Sequence, residues 1–166
     1  DRLDLSDGEL GLALLFIAAG ALVAFPVVGR LIASTGSRPV TRAGLVLMPA
    51  ALALVALAPS LPALMGAALV FGAANATLDV AMNAHGVAVE RSLGRPIMSS
   101  LHAGWSVGGL VGAGIGGLLA AGGVDVRLNL IVVPVAVCGL ALLATRALLP
   151  AAEDIAPARP ALRLPS

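Results

Sequence analysis

Residues 75–86 read NATLDVAMNAHG and residues 96–117 read PIMSSLHAGWSVGGLVGAGIGG, and the fold of the whole chain turns on how these two stretches are read. Both are apolar, and both carry polar residues at helical spacing. Asn75, Asp79 and Asn83 recur every fourth residue. At about 100° per residue they share one arc of a helix, together with Gly72 and Gly86. On the second stretch Ser99, His102 and Ser106 share an arc, and Gly104, Gly108 and Gly112 take the roughly opposite one. An ionisable side chain inside an apolar run is costly and marks a functional position by default. The bland alternative for Asp79 is a tie between two helices.

Composition sets the environment. The chain is 59% hydrophobic and 11% charged, with a mean hydropathy of +1.03. A water-soluble domain of this size cannot cover so much apolar surface with so few charges. The apolar runs approach the roughly 20 residues that cross a bilayer. The chain is therefore expected to be all-α, a polytopic bundle of membrane helices. Its twenty glycines suit close helix packing in lipid. Aromatic residues make up only 2%, so the usual interfacial belt of Trp and Tyr is nearly missing. A net charge of +1 without a basic cluster argues against nucleic acid as a partner. The single cysteine, Cys138, allows no intrachain disulfide, and no Cys/His spacing points to a metal or a cofactor. No nucleophile elbow, phosphate-binding loop or paired carboxylates occur, and Asp79 is the only acid within an expected span. An enzyme reading has no residues to rest on.

In chain order, Ser6 and Glu9 form an S-x-x-E capping box before the first helix. Helices are expected at about 9–28, 43–58, 61–84, 97–121 and 127–149, making residues 1–150 one membrane unit. Pro26 falls near the end of the first helix, while Pro49 and Pro134 lie inside later ones. The segment GRLIASTGSRPVTR reads as a loop, and His85 to Pro96 as a charged connector. There His85 is expected to be exposed, and Glu90 to form a solvated pair with Arg91 and Arg95. The Pro-rich tail 151–166 reads as a linker. Five spans put Arg30, Arg38, Arg42, Arg91, Arg95, Arg146, Arg159 and Arg163 on one side and only Arg2 and Arg127 on the other. The positive-inside rule makes the first side cytoplasmic, so the chain starts outside and ends inside a cell membrane. The acidic start DRLDLSDGE is not a signal peptide, and an upstream span is expected to be missing.

The segment from Gly29 to Arg38 resembles the loop between helices two and three of the major facilitator superfamily, whose pattern is G-x-L-x-D-R-x-G-R-R/K. Gly29, Leu31, Gly36 and Arg38 match, while Ala33, Ser34 and Ser37 depart from it. Glu90 to Arg95 is similar to the acidic-then-basic loop after that family's fourth helix. Gly108, Gly112, Gly116 and Gly117 resemble its fifth-helix antiporter pattern, with Ala113 in place of the proline. The fourth-helix Arg of proton-coupled members would fall near Ala68 and is absent. The phrase LDVAMNAHG…ER…GRPIMSSLHAGWSVGG looks closer to a prokaryotic branch near the sugar permeases than to drug exporters.

The resemblance implies that the five spans are helices two to six of twelve, with the first helix and the second half missing. It implies a secondary transporter with its substrate site near the midplane between halves. The expected function is movement of a small polar, sugar-like solute by proton symport, with Asp79 or His102 carrying the proton. Drug efflux by proton antiport, or a non-transport sensor or scaffold on the same fold, are the alternatives. Expected substrate or coupling residues are Asn75, Asp79, Asn83, His102 and Ser106. Gly104, Gly108, Gly112 and Gly116 are expected to pack against another helix, with a gating hinge as the alternative. Trp105 either lines a cavity or packs on a neighbouring helix.

Overall fold

Five apolar helices run up and down through the computed structural model, which describes residues 3–151. They are α1 (Asp7–Thr35), α2 (Ser37–Leu57), α3 (Leu61–Leu93), α4 (Met98–Ala121) and α5 (Val126–Ala144), followed by a short 3-10 turn at Thr145–Ala147. All five are long and apolar enough to cross a membrane. The tail 152–166, together with Arg159 and Arg163, lies outside the described residues, as does Arg2.

α1 begins at the capping box, with Ser6 and Glu9 satisfying each other's backbone N–H groups. It does not end near Pro26. It runs on through Gly29, Arg30 and Leu31, so the expected fourteen-residue loop is almost entirely helical. The break comes at Gly36 alone, whose φ of 81° suits only glycine at low cost. Ser34 and Thr35 hydroxyls donate to the Leu31 carbonyl at 3.0 and 2.8 Å, competing with the ladder just before that break. α3 likewise absorbs most of the expected connector and stops where Gly94 turns left-handed, with φ 64°. At about 1.5 Å per residue, the 33 residues of α3 far exceed a hydrocarbon core of about 30 Å. Its charged end therefore projects beyond the apolar layer. Pro26, Pro49 and Pro134 all sit inside continuous helices.

The core is built of small residues. α1 and α3 run parallel and touch backbone to backbone. A Cβ on Gly20 would overlap the Leu69 carbonyl, and a Cβ on Gly72 would overlap the Ile17 carbonyl. Each helix thus supplies the glycine that admits the other. Gly44 lets antiparallel α2 lie on Leu78 in the same way, since a Cβ there would stand 2.9 Å from the Leu78 Cα. Ala24, Val28, Val40, Ala76 and Ala81 fill the space where the three helices meet. α5 packs on α2 and buries Cys138. α4 buries no residue and only skirts α3 and α5.

One end of the bundle collects Arg30, Arg38, Arg42, Arg91, Arg95 and Arg146, and we refer to it as the arginine end. Two expectations about this end are overturned. His85 is buried, with 5% of its surface exposed. Its Nδ1 lies 2.8 Å from Ser37 Oγ, and its Nε2 accepts the Leu149 N–H at 3.2 Å. The chain leaving α5 folds back over α2 and covers the ring. Glu90 is not part of a charge pair with its neighbouring arginines. Its carboxylate accepts the Ile97 and Met98 N–H groups at 2.8 and 3.0 Å. It caps the start of α4, which has no side-chain cap of its own at Ile97.

Candidate functional site

The polar arcs of α3 and α4 meet at one cleft. Asp79, Met82 and Asn83 line it from α3, and Leu101, His102 and Trp105 from α4. Its volume is about 190 Å³. Complete ligand pockets run to about 300–1,000 Å³, so this is the size of one wall of a site rather than a closed chamber. Its position follows from the turn between the helices. Glu90 fixes the first residues of α4, and Leu101 and Met98 then sit directly against Gly86, 2.9 and 3.0 Å from where a Cβ would stand. That contact lays the next turn of α4 beside Asp79 and Asn83.

Within the cleft, Asn83 Nδ2 donates to the Asp79 backbone carbonyl at 2.9 Å and to its Oδ1 at 3.1 Å. The amide one turn on therefore steers the carboxylate. His102 Nδ1 lies 2.9 Å from the Met98 carbonyl, which can only accept. Nδ1 accordingly carries the hydrogen, and Nε2 of the neutral ring keeps its lone pair.

Of the five expected solute or coupling residues, Asp79, Asn83 and His102 come together here. Asn75 and Ser106 do not line the cleft, and the Ser106 hydroxyl is turned to the His102 carbonyl at 3.1 Å. Met82 and Leu101 went unmarked in the sequence, because an apolar residue in an apolar helix carries no signal of its own. Trp105 lines the cleft and is 58% exposed. Gly104, Gly108 and Gly112 have nothing within 4 Å of a would-be Cβ, and Gly116 only the Asn129 amide at 4.0 Å. Among the described residues no helix packs along that stripe. Gly29 and Leu31 are exposed on α1, and Gly36 forms the corner. Arg38 Nη2 donates to the Arg146 carbonyl at 3.4 Å.

An all-helical bundle with five apolar spans and a polar cleft between two of them defines a multi-pass membrane protein. The family profile described as Major Facilitator Superfamily matches residues 1–164, and the chain belongs to that family. It is 38% identical over 132 residues to "Uncharacterized transporter y4wD" of Sinorhizobium fredii, covering 80% of this chain and 35% of that protein. It is 43% identical over 113 residues to an "Uncharacterized MFS-type transporter" of Yersinia pestis, covering 68% and 29% respectively. It is 38% identical over 107 residues to "Membrane protein MosC" of Rhizobium meliloti, covering 64% and 26%. The chain thus spans about a third or less of these relatives. No solved structure matches it significantly.

Proposed function

We propose that this chain supplies part of the N-terminal half of a proton-coupled secondary transporter for a small polar solute, with Asp79 and His102 as the coupling pair. Under this reading its spans are helices two to six, and the arginine end faces the cytoplasm of a cell carrying the protein in its plasma membrane. The carrying observation is that an acid on α3 and an imidazole on α4 line a single cleft. Both groups exchange protons, and the cleft reaches solvent. Asn83 holds the acid in place without neutralising it, and the lone pair on His102 Nε2 is open to a proton. The resemblance to the sugar-permease branch favours a sugar-like solute, while the acceptor-rich lining of the cleft weighs against one.

The test is flux through the complete transporter in proteoliposomes. Flux should follow an imposed proton gradient and collapse when that gradient is removed. Asp79→Asn should abolish the gradient-driven component while the protein still inserts. Flux indifferent to every ion gradient would remove the coupling. A dry, tightly packed interior in the complete protein would favour a scaffold over a transporter.

A further inference from the structure

We propose that the cleft between α3 and α4 takes an organic cation: an ammonium or comparable donor-rich head on an apolar body. The inference rests on reading this cleft as the solute site and names what it recognises.

Hydrogen-bond capacity in the cleft is one-sided. Asn83 Nδ2 is the donor in both bonds to Asp79, so its donating side is turned to that residue. His102 has one N–H in its neutral form, and the Met98 carbonyl uses it. Among the described residues no arginine lines the cleft. On this wall of the site, among the described residues, the one donor left on the lining side chains is the Trp105 indole N–H. Several acceptors remain: the second carboxylate oxygen of Asp79, the Asn83 carbonyl oxygen and the lone pair of His102 Nε2. The only formal charge this set carries with a neutral imidazole is negative.

Each solute class meets that inventory differently. An anion needs donors and finds one. A sugar hydroxyl donates and accepts, so a polyol would leave most of its own acceptors unmatched here, and unmatched polar groups are what selective sites penalise. An ammonium only donates, and it brings the charge that Asp79 lacks. The remaining walls suit the rest of such a solute. Met82 and Leu101 offer apolar contact, and the half-exposed Trp105 ring offers a π-face to a cation.

The experiment is equilibrium binding to the complete transporter in detergent, with four probes: benzylammonium, tetraethylammonium, glucose and benzoate. Binding of at least one cation is expected, and of neither glucose nor benzoate. Asp79→Asn should weaken the cation about tenfold or more, the scale of a hydrogen bond to a charged group. Trp105→Leu should weaken it about threefold to tenfold, and Trp105→Phe less, since an aromatic face remains. Unchanged melting temperatures would show that the variants fold. Glucose or benzoate binding that Asp79→Asn removes would overturn the cation while leaving the cleft as a solute site. Cation binding that neither Asp79→Asn nor Trp105→Leu weakens would overturn both ligand and site. No binding by either cation would overturn the proposal, and the flux test stands apart from it.

Discussion

Arg42, near the start of α2, grips Thr145 at the end of α5: its Nε donates to Thr145 Oγ1 at 2.9 Å and its Nη2 to the Thr145 carbonyl at 3.3 Å. Carbonyls at a helix C-terminus have no partner within the helix and carry partial negative charge. A planar guanidinium suits the pair of oxygens, and an ammonium does not. Arg42→Lys should therefore recover little of what Arg42→Ala loses, about 1.5–3 kcal/mol for a hydrogen bond to a charged group. Thr145→Val should lose less, and the double variant should cost less than the sum. Chemical denaturation of the complete protein in detergent would measure all of these. Full additivity would show that the grip contributes nothing.

Gly20 and Gly72 should be the least replaceable glycines in the chain. The obstacle at each is a backbone carbonyl, which no rotamer change can move. Gly20→Ala or Gly72→Ala should cost about 1–3 kcal/mol or more by overpacking. Gly104→Ala and Gly108→Ala meet open space within the described residues and should not destabilise this half. Melting temperatures of the four variants give the comparison, and equal losses would mean that α1 and α3 do not cross as described.

Removing the Glu90 carboxylate should loosen the start of α4. In Glu90→Gln the single oxygen that takes both N–H groups loses its negative charge, so the Ile97 and Met98 N–H groups should exchange faster with solvent. Protection further along α3 should not change. Hydrogen exchange read by mass spectrometry over peptides covering 90–105 would decide it, and unaltered exchange at 97 and 98 would show that another group caps the helix.

The proposed orientation predicts opposite labelling. In a background lacking Cys138, a cysteine replacing Arg95 should react with an impermeant maleimide only from inside cells or inverted vesicles. One replacing Asp125, at the other end of the bundle, should react from outside. Same-side labelling would contradict the five-span topology.

The five spans were legible because hydropathy reports contact with lipid. Their ends were not, because the backbone ladder continues past the point where the apolar layer stops. Arg30 and Arg91 punctuate hydropathy without interrupting a helix, whereas Gly36 interrupts the helix with almost no mark in hydropathy. The arcs bearing Asp79 and His102 could be drawn from spacing alone, but the rotation of α3 against α4 could not, since Gly86 and Glu90 set it through contacts across the turn. The burial of His85 lay further out of reach. Its partners Ser37 and Leu149 are 48 and 64 residues away, and nothing periodic links such positions. Gly20 was one glycine among twenty, and Gly72 was legible only as part of the polar arc of α3, not as its contact with α1.

The single-residue corner at Gly36 also dictates where the chain can be lengthened. One added residue would turn α2 by about 100° about its own axis. That would rotate Ser37 off His85 and Arg42 off Thr145 together, and the corner has no spare length to absorb it. Ala151 already stands 3.0 Å from where a Cβ on Gly36 would be, so a bulge has nowhere to go. The turn at Gly122 and Gly123 holds no such ties, and a Cβ on Gly123 would meet nothing. An affinity tag or fluorescent reporter would be tolerated there and rejected at the corner, although the corner reads in sequence as the roomiest loop of the protein.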